Sequence, residues 1–282
     1  MYWGYMANVK TFIAGGCSFT FGHELSDDIN GKEPSKKSWA YQLFDQTRYP
    51  GTDVNYVTVA HPGTGNPGIA RRVFNAVSQH DNELHTGIEC VVVMWSFLSR
   101  YDWAMPRHRD LEGTRWATIS PWDTNMRAEE RHNALSGSEV QLEQWKRRQD
   151  LMIETGVKPF AEAIYKHAAN EYHETYLSWK SIIWLQNILE KKKIKFMFTL
   201  ADNSLFYKDF DHHKDQDRFM KSLHKEIDFT KWFSFGDRMM GFNQWTLMEN
   251  YPRGTTHPLD LAHQDAVKLM IPEYKKILTG GK

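Results

Sequence analysis

The 282-residue chain balances 35 Lys and Arg against 35 Asp and Glu, so its formal net charge is zero. A chain without net charge has no global field to attract nucleic acid or an anionic membrane, and neither is expected as a partner. The two cysteines lack the spacing of a metal site, and the start of the sequence lacks the pattern of a signal peptide. The sequence therefore predicts a cytoplasmic protein without a metal or other cofactor.

Five apolar segments are predicted to be strands, at 9–14, 54–60, 88–95, 193–200 and, more weakly, 229–235. Helical spacing of apolar residues predicts helices near 38–44, 67–77, 159–167, 176–191 and 259–278. Strands that alternate with helices favour a parallel sheet with helices on both faces. The expected fold is α/β, a three-layer α/β/α sandwich around a mostly parallel five-stranded sheet.

Residues 100–157, after the third predicted strand, are too long for an ordinary connection. They are rich in Arg, Trp, Asp and Asn and show little periodicity. We interpret them as an insertion or lid within a single domain that spans residues 1–282. Four tryptophans of this segment are expected either to pack the insertion on the body or to stack on sugar rings: Trp103, Trp116, Trp122 and Trp145.

Glycine-rich turns follow the first two predicted strands. The glycines at 15–16 permit a tight turn whose N–H groups point together at an anion, and Ser18 stands at its mouth. The run Pro-Gly-Thr-Gly-Asn at 62–66 follows the second strand. Because the carboxyl ends of parallel strands meet at one edge of the sheet, these turns are expected to converge with segments 95–100 and 256–263.

The order of these blocks resembles the SGNH or GDSL hydrolase family, whose members are flavodoxin-like α/β/α esterases, lipases and acetylxylan esterases. Gly-Cys-Ser at 16–18 is similar to the family's first block, which implies that Ser18 is the nucleophile and that its N–H is an oxyanion donor. Gly63 matches the glycine of the second block, whose N–H is a further donor. His257, followed by Pro258, matches the catalytic base.

The third block of the family ends its strand with Gly-x-Asn, and the asparagine supplies another oxyanion donor. Here the strand ends in Trp-Ser-Phe at 95–97, without an asparagine. Asn66 or Ser96 is therefore the candidate for the third donor.

The family's catalytic acid stands two or three residues before the histidine, where this sequence has Thr255 and Gly254. Asp237 and Asp260 are the candidate acids from elsewhere in the chain. Asp260 also forms an Asp-x-x-His string with His263. This string is either a shifted acid and base, or a carboxylate that stabilises the first turn of the last helix.

Two other sets of reactive residue types have structural interpretations beside the chemical ones. Cys17 adjoins the nucleophile turn and is the alternative nucleophile, although its side chain is expected to point away from that of Ser18. Residues 209–217 combine Asp and His but also contain Lys214, and neighbouring side chains point in different directions. A solvated helix start is favoured there over a metal site.

The expected function is hydrolysis of a small acyl ester, with an acetylated glycan favoured by the tryptophan-rich insertion. Trp95, Arg100 and Trp103 are the candidate substrate-binding residues. The alternative is a degenerate SGNH-like binding or structural module without an acid. A similarity to SGNH-like proteins of tailed bacteriophages implies a virion setting, with phage structural proteins or further copies of the chain as partners. A carboxylate within hydrogen-bond distance of His257 Nδ1 would favour the hydrolase.

Overall fold

The structure is a computed structural model, and it describes residues 9–29, 31–48, 53–81, 87–109, 113–125, 130, 139–206 and 214–280. The strands in this part of the chain are β1 (Lys10–Gly15), β2 (Val54–Thr58), β3 (Ile88–Trp95), β4 (Tyr101–Ala104), β5 (Trp116–Ile119) and β6 (Phe196–Leu200). Four of them form one parallel sheet in the order β2-β1-β3-β6. The sheet is central because β1 and β3 are almost entirely apolar and buried.

Ten α-helices lie in the described residues. They are α1 (Ser18–Phe21), α2 (Trp39–Thr47), α3 (Asn66–His80), α4 (Trp122–Asn125), α5 (Glu139–Glu154), α6 (Val157–His167), α7 (Glu171–Lys191), α8 (Lys214–Lys225), α9 (Phe242–Met248) and α10 (Asp260–Thr279). None of these helices is long and apolar enough to cross a membrane.

Helices cover both faces of the sheet. On one face α3 and α7 pack over Ile13, Val91 and Val93. On the other, α2 and α10 pack over Phe12 and neighbouring strand residues. Ser38 caps α2, since its hydroxyl accepts a hydrogen bond from the N–H of Tyr41 at 3.4 Å. The predicted α/β class and the three-layer sandwich are confirmed.

The fifth strand predicted at 229–235 is wrong. Asp228 caps a short 3₁₀ turn at Phe229–Lys231, and its Oδ1 accepts a hydrogen bond from the N–H of Thr230 at 2.9 Å. After the turn, Trp232 forms an isolated parallel bridge with Phe198. The aromatic residues of this segment therefore pack against the edge of the sheet without extending it.

The segment predicted as an insertion contains more regular structure than its sequence pattern indicates. Strands β4 and β5 form an antiparallel hairpin, and α5 and α6 follow it. The hairpin is tied to α3 by a bidentate ion pair, in which Arg71 donates from Nε at 2.8 Å and from Nη2 at 3.0 Å to the buried carboxylate of Asp102. A small apolar cluster, separate from the two faces of the sheet, holds these elements together: Tyr101, Ala117, Ile119, Met152, Val157, Ala161 and Ile164. The role of the segment as a lid stays a prediction.

Candidate active site

Ser18 is placed by the turn that leaves β1. Cys17 precedes α1 in an extended conformation, and Ser18 is the first residue of that helix, with only 5% of its surface exposed. The Oγ atom of Ser18 lies 2.7 Å from Nε2 of His257. The side chain of Cys17 is completely buried in the apolar layer beneath α2 and α10, so it does not share this environment.

His257 is held by the loop that precedes α10. The N–H of Gly254 donates to the carbonyl of His257 at 2.9 Å, which closes the loop on itself. The imidazole packs edge-on against Phe19, with ring centroids 4.8 Å apart, and against His23 at 5.4 Å. This packing leaves His257 with Nε2 directed at Ser18 and Nδ1 directed at the segment that follows α1.

A carboxylate lies beside Nδ1 of His257, and it belongs to Glu24. Its Oε2 atom is 3.3 Å from Nδ1 and accepts the backbone N–H groups of Thr256 at 3.0 Å and His257 at 2.9 Å. The hydroxyl of Thr256 also lies between the groups, 2.8 Å from Nδ1 and 3.3 Å from Oε1 of Glu24. When Ser18 donates its O–H to Nε2, the ring hydrogen is bonded to Nδ1. It then faces Oε2 of Glu24 and the hydroxyl oxygen of Thr256.

Glu24 is ionised at neutral pH. Burial by itself would raise the pKa of its carboxyl group, but the hydrogen bonds from the His257 side chain and from the backbone of Thr256 and His257 outweigh it and lower the pKa to about 2. An anion at this position accepts a hydrogen bond from Nδ1 and so orients the imidazole.

Gly254 explains why the acid is absent from its expected position before the histidine. A Cβ atom built on Gly254 would lie 2.6 Å from Oε2 of Glu24, so an aspartate there would displace the Glu24 carboxylate. Glu24 itself has a φ of 69°, which is uncommon for a residue with a side chain, and its N–H donates to Oδ2 of Asp28 at 2.8 Å.

Neither candidate acid of the sequence occupies this place. Asp260 accepts hydrogen bonds from the backbone and hydroxyl of Ser26 and from Lys37 Nζ at 2.8 Å. Burial alone would raise the pKa of Asp260, but the bonds from Lys37 and Ser26 lower it to about 2. Asp237 is exposed in a turn, and no hydrogen bond joins it to His257 in the described part of the chain. Within the described residues neither aspartate lies at Nδ1 of His257, and the carboxylate found there is that of Glu24.

His263 is a structural residue and not a shifted base. Its Nδ1 accepts the N–H of Trp39 at 3.0 Å, and its other nitrogen hydrogen-bonds the backbone of Pro258. Burial lowers the pKa of His263 to about 3, helped by the neighbouring His257, so the ring is neutral. It joins the start of α2 to the loop that holds His257.

The turn after β2 lies against the nucleophile turn. The N–H of His61 donates to the carbonyl of Gly16 at 3.1 Å, and the N–H of Thr64 returns to the carbonyl of His61 at 3.2 Å. Gly63 is the third residue of this turn, and its φ of 84° is the reason a glycine is needed there. In the residues that the structure describes, the backbone N–H groups of Ser18 and Gly63 have no acceptor within the protein.

Asn66 and Ser96, the candidates for a third donor, are engaged with each other. Both hydrogens of the Asn66 amide are used, by the carbonyl of Ser96 at 3.1 Å and the hydroxyl of Ser178 at 3.0 Å. Oδ1 of Asn66 accepts the N–H of Ser96 at 2.7 Å, and the Ser96 hydroxyl accepts from Nη1 of Arg100 at 2.9 Å. Asn66 therefore fastens the end of β3 to the start of α3 and offers no donor to an oxyanion.

The three candidate substrate-binding residues lie in different environments. Trp95 has no exposed surface and packs edge-on against Phe198 in the core, with ring centroids 5.3 Å apart, so its predicted role is wrong. Trp103 is 49% exposed on β4 beside Phe160. Arg100 is partly buried, with its guanidinium 4.8 Å from the centre of the Phe97 ring.

No protein-family model and no curated protein matches the chain. Among solved structures, it is similar to a psychrotrophic esterase from Pseudoalteromonas sp., with 9% identity, 95% of this chain and 98% of that chain covered, and a TM-score of 0.44. A catalytic mutant of an acetylxylan esterase from Geobacillus stearothermophilus is 10% identical, with 95% and 94% covered and a TM-score of 0.43. A member of the lipolytic G-D-S-L family from Veillonella parvula is 11% identical, with 96% and 99% covered and a TM-score of 0.41. These similarities are too distant to assign a function to this chain.

Proposed function

We propose that the chain is a serine hydrolase, and more particularly an SGNH-type acyl-ester hydrolase. The observation that carries this proposal is the line of contacts from Ser18 Oγ to His257 Nε2 at 2.7 Å and from His257 Nδ1 to Glu24 at 3.3 Å. A hydroxyl, a base that can take its proton, and an anion that orients the base are the three parts that an activated serine needs.

In the first half of the reaction, Ser18 Oγ forms a bond to the carbonyl carbon of the ester while its proton moves to His257 Nε2. The carbonyl π bond breaks, and its electron pair forms an oxyanion. When this intermediate collapses, the bond to the alcohol oxygen breaks and the alcohol leaves with the proton from His257. The product of this half is an acyl group attached to Ser18.

In the second half, a water oxygen bonds to the acyl carbon while His257 takes one of its protons. Collapse of the second oxyanion breaks the bond to Ser18 Oγ, which receives the proton from His257. The acid is released and the serine is restored. Glu24 stays ionised throughout, because its low pKa makes it a poor acceptor of the ring proton.

The backbone N–H groups of Ser18 and Gly63 are the proposed oxyanion donors. Both lie in turns that the hydrogen bond from His61 to Gly16 holds together, and both are without a protein acceptor in the described residues. Preorganised donors of this kind contribute about 3–4 kcal/mol each to transition-state stabilisation.

For the substrate, we propose a small acyl ester, with an O-acetylated glycan as the leading candidate. The exposed indole of Trp103, on the hairpin next to the end of β3, supports a sugar-binding surface. The location, cytoplasmic or in a virion, stays a prediction of the sequence. The same holds for the partners, which are phage proteins or further copies of the chain.

The degenerate binding module is the weaker candidate. In the sequence, this alternative is favoured because no carboxylate precedes His257 at the expected positions and no asparagine directly follows the third strand. Glu24 provides a carboxylate at Nδ1 of His257, which is the feature expected to separate the hydrolase from the module. A partly buried carboxylate and an imidazole in line with Ser18 support the hydrolase over the binding module.

Labelling with a fluorophosphonate tests the proposal, because the reagent reacts with an activated serine. Wild type is expected to be labelled, whereas Ser18→Ala and His257→Ala are not. Cys17→Ala is the matched control, since Cys17 adjoins the same turn but is buried in the core, and it should keep its labelling. A folded wild-type protein that resists labelling, or a Ser18→Ala variant that retains it, contradicts the proposal.

A further inference from the structure

Arg100 lies next to the turn that carries Gly63 and has no carboxylate partner among the described residues. Its Nη1 donates to Ser96 Oγ at 2.9 Å, and its guanidinium stacks on Phe97 at 4.8 Å. In the described part of the chain, no ion pair involves this side chain. A guanidinium has five N–H donors, and among the described residues one donor of Arg100 has a protein acceptor.

The acidic residues of this region are already engaged. Asp102 holds Arg71 through two hydrogen bonds, Asp123 pairs with Arg148 at 3.1 Å, and Glu174 accepts the hydroxyl of Tyr101 at 3.0 Å. None of the three forms an ion pair with Arg100. Arg100 therefore has no direct ion-pair partner within the described residues.

Three contacts fix Arg100 next to the turn that carries Gly63. Its backbone and Cβ pack so closely on Gly65 that a Cβ on that glycine would lie 2.7 Å from Cβ of Arg100. Asn66 holds Ser96, whose hydroxyl accepts the hydrogen bond from Arg100. Phe97, under the guanidinium, contacts Phe19, the residue that follows Ser18, with ring centroids 6.0 Å apart.

From this placement we propose that Arg100 binds a carboxylate of the substrate next to the scissile ester. This inference rests on the proposed hydrolase and narrows its substrates to anionic esters. A guanidinium whose N–H donors lack acceptors can bind a carboxylate through two parallel hydrogen bonds. Stacking on Phe97 fixes the plane of the Arg100 guanidinium for this contact. The carboxylate belongs either to the acyl group or to the alcohol, and the experiment separates these sources.

The test compares kcat/KM for matched neutral and anionic esters. For the acyl side the pair is para-nitrophenyl butanoate and para-nitrophenyl hydrogen succinate. For the alcohol side it is methyl para-acetoxybenzoate and para-acetoxybenzoate. Wild type should favour the anionic member of one pair. Arg100→Gln should lower kcat/KM for that ester about 10- to 100-fold, the range of a lost hydrogen-bonded charge, and change the neutral member less than about threefold.

Two further variants control the result. Arg147→Gln removes the same charge from an exposed position on α5, where the side chain is 78% accessible, and should leave both pairs unchanged. Arg100→Lys keeps the charge but loses the planar fork, so it should fall between wild type and Arg100→Gln, and it replaces the Gln variant if that variant does not fold. Equal losses on neutral and anionic esters, or no preference in wild type, overturn the inference.

A binding measurement separates this inference from the proposed function. The Ser18→Ala variant cannot form an acyl-enzyme, but its Arg100 is unchanged. Calorimetry should show that it binds para-nitrophenyl hydrogen succinate or para-acetoxybenzoate more tightly than the neutral match, and that adding Arg100→Gln removes the difference. If wild type cleaves no ester but this difference is present, the hydrolase fails and the carboxylate site stands. If the difference is absent, the carboxylate site fails.

Discussion

The two sides of the Ser18 hydroxyl use polar residues in opposite ways. On one side, His257 and Glu24 are held by backbone groups, and their side chains form a line that ends at Ser18. On the other side, the Asn66 amide bonds the backbone of Ser96 and the hydroxyl of Ser178, so both of its N–H donors are used inside the protein. A polar side chain near a reacting atom thus acquires a chemical role only when hydrogen-bonding capacity remains after the fold is satisfied.

Replacing the acid should give the largest effect. We expect Glu24→Gln to lower kcat by about a hundred- to ten-thousandfold, because the amide does not stabilise the protonated imidazole or fix its tautomer. Asp260→Asn, the matched control for the acid predicted from sequence, should stay within about threefold of wild type. Steady-state kinetics with one neutral ester measures both, and equal losses in the two variants would remove Glu24 from its role.

The buried neutral His263 makes the free energy of unfolding depend on pH. The pKa of His263 is lowered to about 3 in the folded chain, against 6.5 when unfolded, so between these values the unfolded state binds more protons. The free energy of unfolding should therefore be highest above about pH 6.5 and should fall as the pH decreases, by on the order of 4 kcal/mol near pH 3.

Urea unfolding at a series of pH values measures this dependence. His263→Gln keeps an acceptor for the Trp39 N–H but does not titrate, so its curve should be flatter between pH 6.5 and 4.5. Below that range Glu24 adds to the loss in both proteins, because its pKa is lowered from 4.5 to about 2 and its protonation opposes folding. A wild-type curve that is level from pH 7 to 5 would contradict a buried neutral His263.

On the other side of the hydroxyl, Asn66→Ala should reduce stability more than chemistry. It leaves the buried N–H and carbonyl of Ser96 without partners, and we expect a loss of about 2–4 kcal/mol in the free energy of unfolding. Asn170→Ala, which removes an exposed cap of α7, is the control and should lose about 1 kcal/mol. If folded Asn66→Ala loses as much kcat as Glu24→Gln, Asn66 is not limited to a structural role and the contrast with Glu24 fails.

The smallest expected effect on kcat comes from adding a methyl group at Gly254, which lies against the Glu24 carboxylate. Gly254→Ala would place a methyl group 2.6 Å from Oε2 of Glu24, so the carboxylate must shift away from the imidazole. We expect a decrease in kcat of about tenfold with little change in stability. Gly236→Ala, in an exposed turn where the nearest contact is a flexible methionine, is the control. Full activity in Gly254→Ala would mean that catalysis does not depend on the position of the Glu24 carboxylate beside His257.

The resemblance of three sequence blocks to the SGNH family implied the roles of Ser18, Gly63 and His257. Ser18, Gly63 and His257 stand at the ends of strands or before the last helix, and the parallel sheet brings those ends together. Glu24 was missed because its contact with His257 spans 233 positions and depends on a left-handed backbone that no periodicity indicates. Trp95 was misassigned because β3 is buried on both faces, so its apolar run does not distinguish the core from the site.

Glu24 follows Ser18 by six positions, whereas His257 lies beyond every strand of the parallel sheet. During synthesis, the nucleophile and the anion therefore emerge together and early, while the imidazole emerges only after the sheet. On the proposed chemistry, a nascent chain is catalytically silent until α10 docks against α2 and carries His257 to the serine. Onset of esterase activity on the ribosome would then report completion of this last docking step, with no added probe.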